Sequence, residues 1–252
     1  MNLYGLIGFP LEHSFSPAYF TEKFKKEGID AEYRLFPLDS LSKFPQLLDR
    51  HSNLRGLNVT IPYKMKIRPF LSEIRGAAQS IGAVNTIAFA RKDDQRYTIG
   101  FNTDAYGFEK ALVPLLKDYH HKALILGTGG SSQTAAFVLR KLGIQWMWVS
   151  RTHSGKSTQT INYSDITAHM MKAYRLIINT TPLGMYPRVE GKPDLPYDAI
   201  DQHHLLFDLI YNPALTAFLK QGKKRGAITK NGYQMLCLQA ERSWELWNHH
   251  AE

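Results

Sequence analysis

Ala123-Leu124-Ile125-Leu126-Gly127-Thr128-Gly129-Gly130-Ser131-Ser132 is the stretch on which the fold turns. The apolar run reads as a buried strand and the glycines as a tight turn. The residues beyond read as a helix with apolar positions at Ala135, Val138, Leu139 and Leu142 and a C′ glycine at Gly143. In that order, a glycine turn lets backbone N–H groups approach a pyrophosphate at the positive end of a helix. The pattern departs from G-x-G-x-x-G at its third glycine, where Ser132 stands, so an ordinary glycine-rich turn remains an alternative at this point. About 20 residues on, past the next strand, dinucleotide-binding folds place an acid on the ribose hydroxyl. Here the chain reads Ser150-Arg151-Thr152. A guanidinium there suits a 2′-phosphate through charge-assisted hydrogen bonds, which points to NADP; a solvated loop charge is the other reading of Arg151.

Working outward, short strand-like runs alternate with helix-like stretches almost from end to end, which predicts parallel sheets covered by helices and an α/β class. After the glycine turn, strands are expected at 146–149, 176–179, 205–210 and 227–229, the cadence of a doubly wound sheet. Before it, strands are expected at 3–8, 32–37, 56–60, 84–90 and 96–101, with helices at 16–27, 41–51 and around 67–81. Ser16-Pro17 reads as an N-cap followed by proline at the first helical position. Lys92-Asp93-Asp94-Gln95 reads as a hairpin turn, giving one antiparallel pair. The stretch 233–247, apolar at Met235, Leu236, Leu238, Ala240, Trp244, Leu246 and Trp247 without an interrupting Pro or Gly, reads as one closing helix.

Composition narrows the class further. The chain of 252 residues is 44% hydrophobic, too apolar for a disordered protein, and no window approaches the run of apolar residues a membrane helix needs. No secretory signal opens the sequence, and the lone Cys237 closes no internal disulfide, so a soluble, cytoplasmic protein in a reducing compartment is expected. A formal charge of +9 suits anionic small substrates and phosphorylated cofactors. Without zinc-finger spacing, an RNP-like signature or a dense basic run, no nucleic-acid partner is expected. The histidine pairs His120-His121, His203-His204 and His249-His250 lack a completing cysteine or carboxylate cluster, so no metal is expected.

The first hundred residues carry polar groups at successive strand ends, the end at which open α/β sheets bind ligands. Ser14 and Ser16 follow the first strand beside a helix N-terminus, a setting suited to a carboxylate, although Ser16 as a plain cap is the alternative. Asn58-Val59-Thr60-Ile61-Pro62-Tyr63-Lys64 ends another strand with a polar residue and a lysine. Val84-Asn85-Thr86 and Gly100-Phe101-Asn102-Thr103-Asp104 add two more polar strand ends.

Taken together, these segments resemble the shikimate dehydrogenase family. The resemblance is carried in order by 8–17, 58–64, 82–86, 102–107, the glycine loop 127–132, 179–185, 208–216 and 235–240. It implies an N-terminal, mostly parallel α/β substrate domain, residues 1–103 with 232–252, and a C-terminal doubly wound Rossmann domain for NADP, residues 104–231. The active site would lie in the cleft between them, and the reaction would be reversible NADPH-linked reduction of 3-dehydroshikimate to shikimate. By position, Ser14 and Ser16 would hold the substrate carboxylate with Tyr211 close by. Thr60, Asn85 and Gln239 would bind ring hydroxyls, with Lys64 and Asp104 as the catalytic pair. Gly127, Gly129, Gly130, Ser131, Ser150, Arg151, Thr152, Thr180, Met185 and Gly232 would meet the cofactor. The chemistry agrees: removing a hydride from a secondary alcohol also requires an acid/base group within reach of its oxygen. Cys237, two residues from Gln239, reads as a packed small hydrophobe, and His13 as a residue that holds its loop or orients the two serines.

Departures from the family's pattern concern the nucleotide half. Thr128 and Thr134 replace alanines of the glycine loop, and Ser150 replaces an asparagine. Between Thr152 and Tyr163, where relatives carry an amphipathic helix, 153–160 favours turns, so a short loop is expected, with Lys156 as a second contact to the 2′-phosphate. The rival readings are a quinate or dual quinate/shikimate dehydrogenase using NAD, and a non-catalytic NADP-sensing protein on the same scaffold. The enzyme is expected to be a monomer or homodimer.

Overall fold

The computed structural model describes residues 1–11, 14–92, 95–152 and 159–249. The chain divides into two compact units, Met1–Thr103 with Gln239–Glu252, and Asp104–Leu238.

In the first unit, the strands are β1 (Asn2–Gly8), β2 (Ala31–Pro37), β3 (Leu54–Val59), β4 (Glu73–Ile74), β5 (Thr86–Lys92) and β6 (Gln95–Phe101). They form one sheet in the order β2-β1-β3-β5-β6-β4. β1 runs parallel to both β2 and β3, whereas β5 is antiparallel to both β3 and β6, so there are two antiparallel pairings where the hairpin reading gives one. Three helices belong to this stretch: α1 (Ser16–Glu27), α2 (Phe44–Arg50) and α3 (Ala77–Ile81). The helix expected around 67–81 is broken. Pro69 lies in a 3-10 turn, Glu73–Ile74 pairs with β6, and Gly76 adopts φ +60, so only Ala77–Ile81 is helical.

The second unit carries α4 (Thr103–Leu112), whose first residue still belongs to the first unit, and strand β7 (Lys122–Leu126). Helix α5 (Gly130–Lys141) follows, with β8 (Gln145–Ser150), β9 (Thr160–Asn162), α6 (Ala168–Ala173), β10 (Leu176–Asn179), β11 (Leu205–Asp208), α7 (Ala217–Lys224) and β12 (Ile228–Lys230). The strands form an all-parallel sheet ordered β12-β11-β10-β7-β8-β9, the strand order of the dinucleotide-binding fold. Its interior strands read as unbroken apolar runs because both faces are covered: Leu124, Ile125, Leu126, Ile177, Ile178, Leu206 and Phe207 are all fully buried. The crossover expected as loop to 160 yields strand β9 from Thr160, while the turn-rich part 153–158 lies outside the described residues.

Helix α8 (Tyr233–His249) closes the chain. Its C-terminal half packs on the first unit through Trp247, which is fully buried among Tyr4, Phe20 and Tyr33 and donates from Nε1 to the Ile87 carbonyl at 3.1 Å. Gly56 makes room for it: a Cβ there would sit 2.3 Å from the indole. Among the described residues no helix is long and apolar enough to cross a membrane.

Candidate active site

In the first unit the expected substrate residues gather at one end of the sheet. β1 runs out at Gly8, where a Cβ would come within 2.4 Å of the Thr60 methyl, so glycine lets the two strand ends close up. Thr60 N–H donates to the Ile7 carbonyl (2.9 Å), which sets its side chain at the rim. Lys64 is half-buried and its carbonyl accepts from Val84 N–H at 2.7 Å, tying the lysine turn to the segment that carries Asn85. Ser14 Oγ donates to the Leu11 carbonyl (2.8 Å).

Ser16 is not the N-cap. Phe15 occupies that place already in helical conformation, with no side-chain cap, so Ser16 lies inside the first turn. Its hydroxyl is buried beside the Tyr33 phenol, whose pKa burial raises. His13 lies outside the described residues.

The tightest part of the site is a buried hydrogen-bond network. Asn85 Oδ1 accepts from Thr103 N–H (2.7 Å), while its Nδ2 donates to Thr103 Oγ1 (3.0 Å) and Gln239 Oε1 (3.4 Å). One helical turn past Gln239, Ser243 Oγ lies 2.8 Å from Thr86 Oγ1 and donates to the Gln239 carbonyl (2.9 Å). Tyr33 donates to Asn58 Oδ1 (2.8 Å), and Asn58 Nδ2 donates to Ser243 Oγ (3.0 Å). Both faces of the Asn85 amide and the inward oxygen of Gln239 are thus fixed. The Gln239 Nε2 group has no protein partner among the described residues. Asn58, Thr86, Thr103 and Ser243 have no role in the sequence reading. A signal exists for Ser243, four residues beyond Gln239 on the same helix face.

In the second unit the groups expected at the cofactor are mostly backbone. β7 and β10 are neighbours at the point where the strand order reverses, the switch point at which such sheets bind nucleotides. Gly127 there has φ +103 and packs against Thr180, whose hydroxyl donates to the Leu126 carbonyl (2.6 Å). α5 starts without a side-chain cap, and a Cβ built on Gly129 or Gly130 would meet nothing within 4 Å, so no side chain crowds the backbone of this turn, and Ser131 beside it is exposed. The imperfect fingerprint has a physical resolution. Ser132, at the third-glycine position, is fully buried with its hydroxyl turned back on the Gly129 carbonyl (2.6 Å), so the helix start accommodates it. Thr134 is likewise buried, with its hydroxyl on the Gly130 carbonyl (3.5 Å).

Ser150 ends β8 with its Oγ 3.3 Å from Thr152 N, and Arg151 between them is exposed and close enough to lower the Tyr163 phenol's pKa, which burial raises. Lys156 lies outside the described residues. Met185 is exposed. Tyr211 is half-buried, which pushes its pKa up. Gly232 is required by the backbone: its N–H donates to the Ile210 carbonyl (3.0 Å), and a Cβ would overlap the Leu209 carbonyl oxygen at 2.0 Å. Asp104 sits half-buried in the first turn of α4, where the helix dipole favours a negative charge.

Other features lie elsewhere. A groove of about 540 Å³ beside Arg55, Phe89, Arg91 and Arg96 is at the other end of the first sheet and holds none of the expected site residues. His120 and His204 are buried loop clamps, bonded to the carbonyls of His203 and Met171 at 3.0 Å each. Among the described residues no group of three or more His, Cys, Asp or Glu side chains is placed to hold a metal ion.

An open glycine turn at the switch point of such a sheet, in a chain that also carries an α/β unit with polar strand ends, defines a two-domain nicotinamide-dependent dehydrogenase. Residues 6–87 match the family described as the shikimate dehydrogenase substrate binding domain. An NADP(+) shikimate dehydrogenase of Desulforamulus reducens is 35% identical over 96% of this chain and 88% of its own length. Among solved structures, shikimate 5-dehydrogenase of Thermus thermophilus, in complex with NADP(H) and shikimate, superposes with a TM-score of 0.83 at 29% identity, covering 99% of this chain and 94% of that one. Quinate dehydrogenase of Corynebacterium glutamicum, in complex with NAD, gives a TM-score of 0.85 at 27% identity, covering 98% and 94%. The chain belongs to the shikimate dehydrogenase family.

Proposed function

We infer that this protein is an NADP-dependent shikimate dehydrogenase that interconverts 3-dehydroshikimate and shikimate in aromatic amino-acid biosynthesis, acting in the cytoplasm. The observation that carries the reading is an end-to-end likeness to NADP(+) shikimate dehydrogenases; the motifs of this sequence that hold Lys64, Asp104, Asn85 and Gln239 support it. The 1–103 and 232–252 segments are assigned to the acid, and 104–231 to the nucleotide.

Ser14 and Ser16, with Tyr211, are assigned to the carboxylate, and Thr60, Asn85 and Gln239 to ring hydroxyls. Gln239 suits this assignment because its oxygen is held inward and its amide N–H₂ is left over. With NADP bound, the oxidised nicotinamide would serve as hydride acceptor for the carbinol carbon, and the reduced form as donor in the reverse direction. Lys64 and Asp104 are assigned to the alcohol oxygen, where one of them takes up the proton that must leave with the hydride. The N–H groups at Gly129, Gly130 and Ser131 are assigned to the pyrophosphate, with Gly127, Thr180, Met185 and Gly232 lining the nucleotide's path. Ser150, Arg151 and Thr152 are assigned to the adenosine end, with the Arg151 guanidinium on the 2′-phosphate.

The test is a spectrophotometric assay of the purified protein with shikimate or quinate, each with NADP⁺ or NAD⁺. Formation of reduced nicotinamide fastest with shikimate and NADP⁺ is expected. A preference for quinate with NAD⁺ would move the protein to the quinate branch, and tight NADP⁺ binding without turnover would make it a sensor.

A further inference from the structure

We propose that Asp208 is a positioning residue whose buried carboxylate ties the loop leaving β10 to the loop leaving β11, so that the nucleotide-side segment and the Tyr211 segment are set together. This rests on the reading of the protein as a shikimate dehydrogenase, which assigns Thr180 and Met185 to one loop's ligand and Tyr211 to the other's.

Asp208 is fully buried, and its neighbours are donors rather than cations. Oδ1 accepts from Asn179 Nδ2 (3.0 Å) and Ile210 N–H (3.1 Å), and Oδ2 accepts from Thr216 Oγ1 (2.6 Å). An amide would fill the same volume at a smaller desolvation cost. What a carboxylate alone supplies is acceptors without a donor, matched to three donors that converge on it. From Asn179 the chain of bonds continues outward: its Oδ1 accepts from Thr181 N–H (3.0 Å) and Thr181 Oγ1 (2.7 Å), and Thr181 Oγ1 accepts from Leu183 N–H (3.3 Å). The carboxylate therefore reaches the turn before Met185 through two side chains. On its other side it fixes the peptide N–H one residue before Tyr211, and through Thr216 it fixes the N-cap of α7. Backbone bonds run between the same two loops, from Leu209 N–H to the Asn179 carbonyl (3.0 Å) and from Tyr186 N–H to the Asn212 carbonyl (3.2 Å). The loops thus move as one piece while the Asp208 junction holds.

The junction is specific to the ionised form. Burial raises the Asp208 carboxyl to about 6, and its three donors lower it only in part. The groups facing it are Asn179 from β10, Ile210 N–H from its own loop and Thr216 from α7. The Tyr197 phenol, whose pKa Asp208 helps to raise, donates to the Pro193 carbonyl (2.7 Å) and stays neutral. A protonated Asp208 must donate one hydrogen into a set of donors, which reverses or breaks a bond, and Asn at this position imitates that state.

The test compares the wild-type enzyme with Asp208→Asn, measuring kcat and the KM for NADP⁺ and for shikimate from about pH 5 to about pH 8, with circular dichroism and thermal melting as folding controls. The expected result is a rise of roughly ten-fold in both KM values at about pH 8, narrowing to within roughly two-fold at about pH 5, where the wild type is itself protonated. Taking the ratio of the two proteins cancels every titration they share. A folded variant with wild-type KM values at about pH 8, or a ratio constant with pH, overturns the proposal, because a merely structural role lowers the melting temperature without this pattern. Should Asp208→Asn fail to fold, Thr216→Val removes one of the three donors, and its expected effect is a rise in both KM values; unchanged KM values overturn the proposal. Should the wild type itself show no turnover, the functional reading fails by itself. The Kd for NADP⁺ by calorimetry then takes the place of KM, with weaker binding by the variant supporting the junction and equal binding overturning it.

Discussion

The two units present their candidate site groups by opposite means. In Met1–Thr103 with Gln239–Glu252 the prepared groups are side chains, locked by a buried network in which Asn58, Asn85, Thr86, Thr103, Gln239 and Ser243 satisfy one another. In Asp104–Leu238 the corresponding feature is a turn left uncrowded by the absence of side chains at Gly129 and Gly130, with an exposed arginine further on in sequence. A network of fixed amides and hydroxyls can distinguish where each hydroxyl of a small ring lies, because an unmatched polar group inside it is costly. A glycine turn reads only the charge and shape of a pyrophosphate, and any further discrimination must come from a side chain such as Arg151. Selectivity for the acid should therefore be deep-seated, and selectivity for the nucleotide shallow and easily moved.

The contrast can be broken at several points. The largest effect is expected at Lys64: Lys64→Ala should lower kcat by about 10²–10⁴-fold, the range for removing general acid/base help, while NADP⁺ affinity stays near wild type. Near-normal turnover in a folded variant would take Lys64 out of the mechanism. Next, Trp247→Ala should cost about 3–5 kcal/mol of stability by emptying the cluster of Tyr4, Phe20 and Tyr33 that holds α8. Denaturant unfolding measures this, and a loss below about 1 kcal/mol would show that α8 is held by something other than this cluster.

Arg151→Ala should weaken NADPH by about 1.5–3 kcal/mol and leave NADH nearly unchanged, since only the former presents a phosphate for a charge-assisted bond. Equal losses for both nucleotides would show that Arg151 does not read the phosphate. The smallest effect is expected from Ser132→Gly, which restores the third glycine of the fingerprint. Because the serine hydroxyl is already turned onto Gly129, NADP⁺ affinity should stay within about three-fold, with a stability loss near 1 kcal/mol for glycine in a helix. A ten-fold gain in affinity would mean that Ser132 does obstruct the cofactor.

The elements most legible from sequence are those whose pattern is long or chemically distinct. Helix 16–27, the closing helix and the strand–turn–helix at 123–142 follow from apolar periodicity and glycine placement. The stretch 67–81 misleads because its apolar spacing is helical while Pro69 and Gly76 each stop a helix, and the strand β4 between them is only two residues long. Strand β9 has the same difficulty, three residues that pattern cannot separate from loop. Helix α7 escapes the sequence reading although Thr216 caps it, since that threonine draws notice only as the end of a motif.

In the site, residues at strand ends can be picked out because the ligand end of an α/β sheet is known in advance. Asn58, Thr86, Thr103 and Asp208 cannot, because a polar residue buried in a network is indistinguishable in sequence from one on the surface; Ser243 has only its spacing from Gln239 to mark it. Ser16 shows the reverse error. A serine before a proline signals a cap, but here Phe15 is already helical and takes the cap position, so Ser16 lies inside the first turn.

The most direct measurement of the whole account is a crystal structure of the protein with shikimate and NADP⁺ both bound. It should show the acid's carboxylate on Ser14 and Ser16, a ring hydroxyl on the Gln239 amide, the pyrophosphate on the N–H groups of Gly129 to Ser131, and the 2′-phosphate on Arg151. A nucleotide seated away from the glycine turn, or an acid held by residues outside the Asn85–Gln239 network, would contradict it.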